Sequence, residues 1–226
     1  MGEILDDPRL RDREYVFSDR HDAGRILGQF LKGLALPRPL VLAIPAGGVP
    51  VGRELADSLS SPFSLAIVRK IRIPGTTESG FGAVTWDGEV LIHEDLRAAL
   101  GLSRAEVEQA VSETKENVRE RLARFMDNKS LHVPEGSTIV LTDDGLASGF
   151  TMLAAIRSIR RQSPGRIVVA VPTGSLSAVR RVAAEADLVA CLNIRSGRTF
   201  AVADAYRQWY DLDDDEVIRE LQGKNR

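Results

Sequence analysis

Apolar residues in this chain fall into two kinds of run. Five are short and nearly unbroken: residues 39–45 (PLVLAIP), 63–68 (FSLAIV), 139–142 (IVLT), 166–171 (RIVVAV) and 188–192 (LVACL). Runs of that length without polar alternation predict strands covered on both faces, as in a parallel sheet. Between them, apolar residues recur every three or four positions. Ser18 reads as the cap of a helix over 19–33, whose inner face is Ala23, Ile26, Leu27, Phe30, Leu31 and Leu34. A second helix is expected from about 51 to 60. A third follows Gly149 through Met152, Leu153, Ala155 and Ile156, and a fourth carries Leu176, Val179, Val182 and Ala183. Residues 81–86 and 89–93 flank Asp87-Gly88, a two-residue hairpin signal. Ser103 and Glu106 form a capping box opening a helix to about Asn128, striped by Val107, Ala110, Val111, Val118, Leu122 and Phe125. Its many charged positions read as a solvated face, and its stripe suits either its own domain or a second subunit.

Alternation of strand and helix implies an α/β fold. The expectation is a Rossmann-like, mostly parallel five-stranded sheet with helices on both faces, a β-hairpin and a helical insertion at about 94–134. The domain should span 17–216, with an extended or partly ordered tail over 1–16 and a second tail over 217–226.

Composition narrows the setting. At 226 residues and 43% hydrophobic, the chain suits one α/β domain with a modest insertion and needs no staples. A net charge of −2 argues against bulk nucleic-acid binding, although Arg157, Arg160, Arg161 and Arg166 make a local basic cluster. The one cysteine, Cys191, lies in an apolar run and has no partner for an internal disulfide, so a reduced, cytoplasmic compartment is expected. No apolar run approaches the ~18 residues of a membrane span, and the charged opening MGEILDDPRLRDREY lacks a signal-peptide core.

The chemistry concentrates at Asp143 and Asp144, directly after the strand 139–142. Gly145, Leu146, Ala147, Ser148, Gly149, Phe150 and Thr151 follow, and then the helix opens. Unpaired amides in a helix's first turn favour an anion, and small residues let it approach them. Ser148 and Thr151 add hydroxyls. Acids at a strand's carboxyl end sit where open α/β sheets place ligands. A second strand–glycine–helix junction occurs at Ala46, Gly47 and Gly48; it reads as a close-approach loop or as a plain turn. Arg69, Lys70 and Arg72 follow the strand 63–68 and are expected to face the crevice of the two acids. The segment Pro74 to Gly80 beyond them is expected to move and close. Phe200, Tyr206, Trp209 and Tyr210 gather near the same edge, as a platform for a flat ring or as core. His93 has no second histidine or cysteine at metal-ligand spacing, which argues against zinc.

The apolar strand, paired acids and small-residue loop ending in Thr151 resemble the sugar-phosphate signature of the type I phosphoribosyltransferases. Asp143, Asp144, Ala147, Ser148, Gly149 and Thr151 match; Thr142 and Gly145 stand where the family carries aliphatic residues. VRKIRIPGTTES resembles the basic strand end and mobile loop of adenine- and orotate-type members. A narrower resemblance, to phosphoribosyltransferases with helices inserted at this point, takes in FSDRHDAGRIL and IPAGGVPV and covers about residues 17–216.

The resemblance implies transfer of ribose 5-phosphate from phosphoribosyl diphosphate to a nitrogen nucleophile, through a transition state resembling an oxocarbenium ion. It gives the 5-phosphate to Gly145 through Thr151 and the diphosphate to Ala46, Gly47, Gly48, Arg69, Lys70 and Arg72. It makes Asp143, Asp144 and Lys70 catalytic and offers Phe200 and Tyr206 for base stacking. It also implies Mg²⁺ held by the substrate, mostly through water, with Asp143 and Asp144 the acids beside it and no direct protein ligand set. Small-molecule partners and a homodimer follow from the same likeness. Two other readings stay open: a regulator that senses nucleotides or phosphoribosyl diphosphate without turnover, and a receiver-like α/β domain. The last gives no reason for the glycine loop after Pro45 or the cations after Val68.

Overall fold

A computed structural model describes residues 2–76, 80–197 and 199–222. Thr77, Glu78 and Ser79 of the expected closing loop, and Arg198, lie outside the described residues. Five strands of the main sheet are β1 (Glu3–Leu5), β2 (Pro39–Ala43), β3 (Phe63–Leu65), β7 (Thr138–Thr142) and β9 (Leu188–Arg195), and the sixth is β8 (Arg166–Ser175). Their order is β1-β9-β8-β7-β2-β3, and every pairing is parallel. The sixth strand comes from the stretch expected as a tail: Glu3, Ile4 and Leu5 pair with Leu188, Val189 and Ala190.

Helices cover both faces, because alternate residues of each buried strand point opposite ways. Val41, Val140, Val168 and Ala190 pack against α1 (Arg20–Leu31) and α2 (Gly48–Leu59) through Leu27, Leu31, Val51 and Leu55. Leu42, Ile139, Leu141, Val169 and Val189 face α5 (Phe150–Arg160) and α6 (Leu176–Ala183) through Met152, Leu153, Ile156, Val179 and Val182. Each such Leu, Ile or Val contributes about 1.5–3 kcal/mol by leaving water. Cys191 lies in this second layer, fully buried, and burial pushes its thiol well above the ordinary range. Asp19, rather than Ser18, caps α1 by accepting from the Asp22 amide at 2.8 Å.

The run 63–68 is not one strand. β3 stops at Leu65, and the chain crosses at buried Ala66 and Ile67 into a second sheet of β4 (Val68–Arg72), β5 (Gly80–Thr85) and β6 (Val90–Ile92). That sheet is antiparallel throughout, as the Asp87-Gly88 turn requires. The insertion supplies α3 (Glu94–Ala99) and α4 (Arg104–Met126), the latter with its capping box in place. The α4 stripe packs within its own chain: Val107, Ala110, Val111, Val118, Leu122 and Phe125 join Ile71, Phe81 and Val84 of the small sheet. The chain end also differs from a tail, since α7 (Asp214–Gln222) buries Val217 against the same cluster.

Candidate active site

Strand β7 is buried along its whole length and delivers Asp143 and Asp144 to the carboxyl edge of the main sheet. The Asp144 amide donates to Asp143 Oδ1 at 2.8 Å, which turns the chain sharply after the strand. Facing the acids is the turn before α2. A β-carbon on Gly47 would lie 1.9 Å from Asp144 Oδ2, and one on Gly48 would lie 2.9 Å from the Asp143 Cα. Gly47 has φ −58, so its backbone would accept any residue; the nearest obstruction to a side chain is the Asp144 carboxylate. The Pro45–Ala46 peptide leading into this turn is cis. Gly47 and Gly48 are therefore brought to the acid pair, with Ala46 directly before them in the turn.

Arg20, which sequence reasoning left unassigned, completes this corner. Its Nε donates to Asp144 Oδ2 at 2.9 Å and its Nη1 to the Tyr210 carbonyl at 2.9 Å. Its guanidinium carbon stands 3.9 Å from the centre of the Trp209 ring, and the residue is only 6% exposed. Burial raises the proton affinity of Asp143 well above the usual carboxylate range, and the charge of Asp144 adds to it. Burial raises Asp144 too, against the opposing pull of Arg20. The two acids titrate as a pair, with Asp143 the more readily protonated because the cation sits on Asp144.

The loop from Gly145 to Thr151 divides its work. Gly145 runs under Val202, where a β-carbon would come within 2.6 Å of Cγ1. Leu146 is an anchor: its amide donates to the Thr173 carbonyl, the Ser175 amide donates back to the Leu146 carbonyl, and its side chain is buried in the core. Its side chain and amide are thus turned away from an anion, which corrects the assignment of Leu146 to phosphate contact. Ala147 and Ser148 are exposed at the tip, Gly149 caps α5 at φ +78, and Thr151 is half-buried in the first turn. The tip is braced by Ser175 Oγ on the Ala147 carbonyl at 2.9 Å and by Arg181 on the Ser148 carbonyl. The Phe150 ring lies 4.5 Å from His93 and 5.3 Å from the Arg181 guanidinium, so it ties the loop to the small sheet.

The cations lie on the small sheet. Lys70 pairs across β4–β5 with Ala83, on the side of Val68 and the α5 layer. Arg69 pairs with Val84, on the side of Ile71 and α4. Burial there, with Arg121 and Arg72 nearby and Asp214 opposing them, lowers the Arg69 pKa to about 10. Arg69 thus belongs to the β4–α4 interior rather than to a crevice shared with the acids. Arg69, Lys70 and Arg72 line a cavity of about 190 Å³ whose far wall is Ala110, Glu113, Thr114 and Asn117 of α4.

Tyr206 is also corrected. It is 1% exposed, with its ring between Phe17 at 5.7 Å and Trp209 at 5.3 Å. Its hydroxyl donates to the Asp144 carbonyl at 2.6 Å, so it supports the acid from beneath and offers no face to a base. Phe200 is half-buried and lies 5.8 Å from the Arg195 guanidinium. Nothing in the sequence marked Arg20 beyond its place in a first turn. The one available signal was an arginine beside the capping residue of a helix leading toward the sheet's carboxyl edge.

Residues 21–207 match the family model described as a phosphoribosyl transferase domain. The chain is 36% identical over 211 residues to MT0597 and to Rv0571c, from two strains of Mycobacterium tuberculosis, whose names assign them provisionally to the phosphoribosyl transferases. That alignment covers 93% of this chain and 47% of theirs, so the chain spans about half the length of these relatives. The solved structure of TT1426 from Thermus thermophilus superposes with a TM-score of 0.73 at 34% identity, covering 91% of this chain and 97% of that one.

Proposed function

Because this chain belongs to the phosphoribosyl transferase family, we propose that it transfers ribose 5-phosphate from phosphoribosyl diphosphate to a nucleobase-like nitrogen, releasing diphosphate. The observation that carries the reading is the seating of the Asp143–Asp144 pair on the bare Gly47–Gly48 turn. Two loops from neighbouring strands meet there, one ending in carboxylates and one in glycine backbone. A substrate with a sugar between two phosphate groups spans such a junction.

The chemistry then follows from charge. The bond between C1 of the sugar and the diphosphate oxygen breaks, positive charge develops on the ring, and negative charge grows on the leaving group. Carboxylate charge on the acid pair favours the first change, and Lys70 favours the second. The pair's raised proton affinity suits one member to take the proton from the acceptor nitrogen. The first turn of α5, with Ser148 and Thr151, holds the 5-phosphate by its amides and hydroxyls. Two adjacent acids at a strand's carboxyl end fit a hydrated Mg²⁺ shared with substrate oxygens. Asp143 and Asp144 would hold it through water, and when bound it neutralises diphosphate charge.

The test is diphosphate release from phosphoribosyl diphosphate and Mg²⁺ across a panel of purines and pyrimidines. Release with at least one base is expected, together with its loss in Asp143→Asn/Asp144→Asn at unchanged circular dichroism. Stabilisation by phosphoribosyl diphosphate with no base accepted would favour the sensing reading. The absence of both effects would reject the family activity for this chain.

A further inference from the structure

We infer that Arg20 is a positioning residue that aims the Asp144 carboxylate, and that the chain segment carrying Trp209 and Tyr210 is what holds Arg20 in place. The inference rests on the reading of Asp144 just given and adds a part that the family match does not contain. Residues 21–207 are matched, whereas Arg20 precedes that stretch and Trp209 and Tyr210 follow it. Two flanking pieces of chain therefore meet over one catalytic acid.

A guanidinium is a flat fork with donors on several edges and two faces. Here three of those features are used at once. Nε is on Asp144 Oδ2, Nη1 is on the Tyr210 carbonyl, and a face rests on Trp209 at 3.9 Å. Below, Tyr206 donates to the Asp144 carbonyl, so the acid is fixed through its backbone and its side chain from one aromatic cluster. The charged groups around the Asp144 side chain are Arg20 on α1 and Asp143 on β7's edge, with the Tyr206 phenol beneath. Arg20 is the cation in that set. Without it, Asp144 would turn toward solvent, away from Asp143. The phosphate and diphosphate contacts proposed above do not run through Arg20, so substrate should still bind while the reaction slows.

The experiment compares wild type, Arg20→Ala, Arg20→Lys and Trp209→Leu. Arg20→Ala should lower kcat about 10- to 100-fold, the scale of one charged hydrogen bond, with KM for phosphoribosyl diphosphate within about threefold. Methylguanidinium should restore turnover in Arg20→Ala in a saturable way and should do nothing for Arg20→Ala/Asp144→Asn. Lysine should rescue only in part, since it keeps the charge and loses the fork. Trp209→Leu should fall between wild type and Arg20→Ala. A kcat within twofold of wild type in Arg20→Ala would overturn the inference. So would a loss that methylguanidinium leaves untouched while raising the variant's Tm, which would mark Arg20 as structural only. Should wild type prove inactive, the Arg20–Asp144 link is still read from a stability double-mutant cycle. Coupling of about tenfold or more in the unfolding constant is expected, and none would sink the inference independently of the activity.

Discussion

Gly47→Ala isolates the contact on which the site turns. Gly47 sits at the N-cap of α2 with φ −58 and ψ −33, so alanine brings no backbone strain there. The three atoms nearest its β-carbon would all belong to Asp144, at 1.9 Å for Oδ2, 2.4 Å for Cγ and 3.0 Å for Oδ1. Contacts that short cannot be absorbed without moving the carboxylate off Arg20. The cost combines overpacking, about 1–3 kcal/mol, with part of a charged hydrogen bond, about 1.5–3 kcal/mol. For a domain of this size, a loss of about 2–4 kcal/mol lowers Tm by about 4–16 °C. The decisive measurement is the same substitution in an Asp144→Ala background, where the obstructing atoms are gone. There Gly47→Ala should cost less than about 0.5 kcal/mol, leaving a coupling energy near the full single-mutant loss. Equal losses in both backgrounds, by urea or thermal denaturation, would show that glycine is required for something other than the acid.

Three further outcomes follow from the same corner. Asp143→Asn should stabilise the protein at neutral and higher pH, because the native carboxyl has a raised pKa and its charged form is penalised on folding. That advantage should vanish as pH falls below the unfolded-state value, where both states are protonated; a gain largest at acid pH by thermal melts across pH 4–8 would contradict it. Tyr206→Phe keeps a ring but leaves the Asp144 carbonyl without its donor, so turnover should drop and stability fall by about 1–2 kcal/mol. Full turnover with phenylalanine would return Tyr206 to the role of base platform. Leu146→Ala should cost about 2–5 kcal/mol in chemical denaturation, as for a core leucine, and a loss below about 1 kcal/mol would show that the loop is not anchored there.

Sequence pattern revealed the layers because their signal is redundant. Residues 39–43, 138–142 and 188–195 are buried on both faces, and their short length, flanking turns and β-branched residues all point to covered strands. The same redundancy misled at 63–68. Ala66 and Ile67 stay buried while the chain passes from one sheet to the other, so hydropathy shows no seam. Once β4 joins an antiparallel sheet, consecutive positions pair beside different layers, which is why Arg69 packs in the β4–α4 interior although it shares a cavity with Lys70. The acids and small-residue loop were legible because their chemistry lies in adjacent positions. Arg20 was not, nor was the part Trp209 plays beside it, since their meeting over Asp144 exists only after the chain's two flanks fold together. Tyr206 misled because an aromatic near a sheet edge gives no sign of which way its ring faces.

The outermost strands of the main sheet, β1 and β3, are three residues each, whereas the four between them run from five to ten. Short margins leave few unpaired backbone groups for a stray strand to join, which guards against edge-to-edge aggregation. Glu3, Ile4 and Leu5 therefore act as a selvedge: trimming them would lay bare one side of the eight-residue Leu188–Arg195 strand, and self-association on warming should betray its loss.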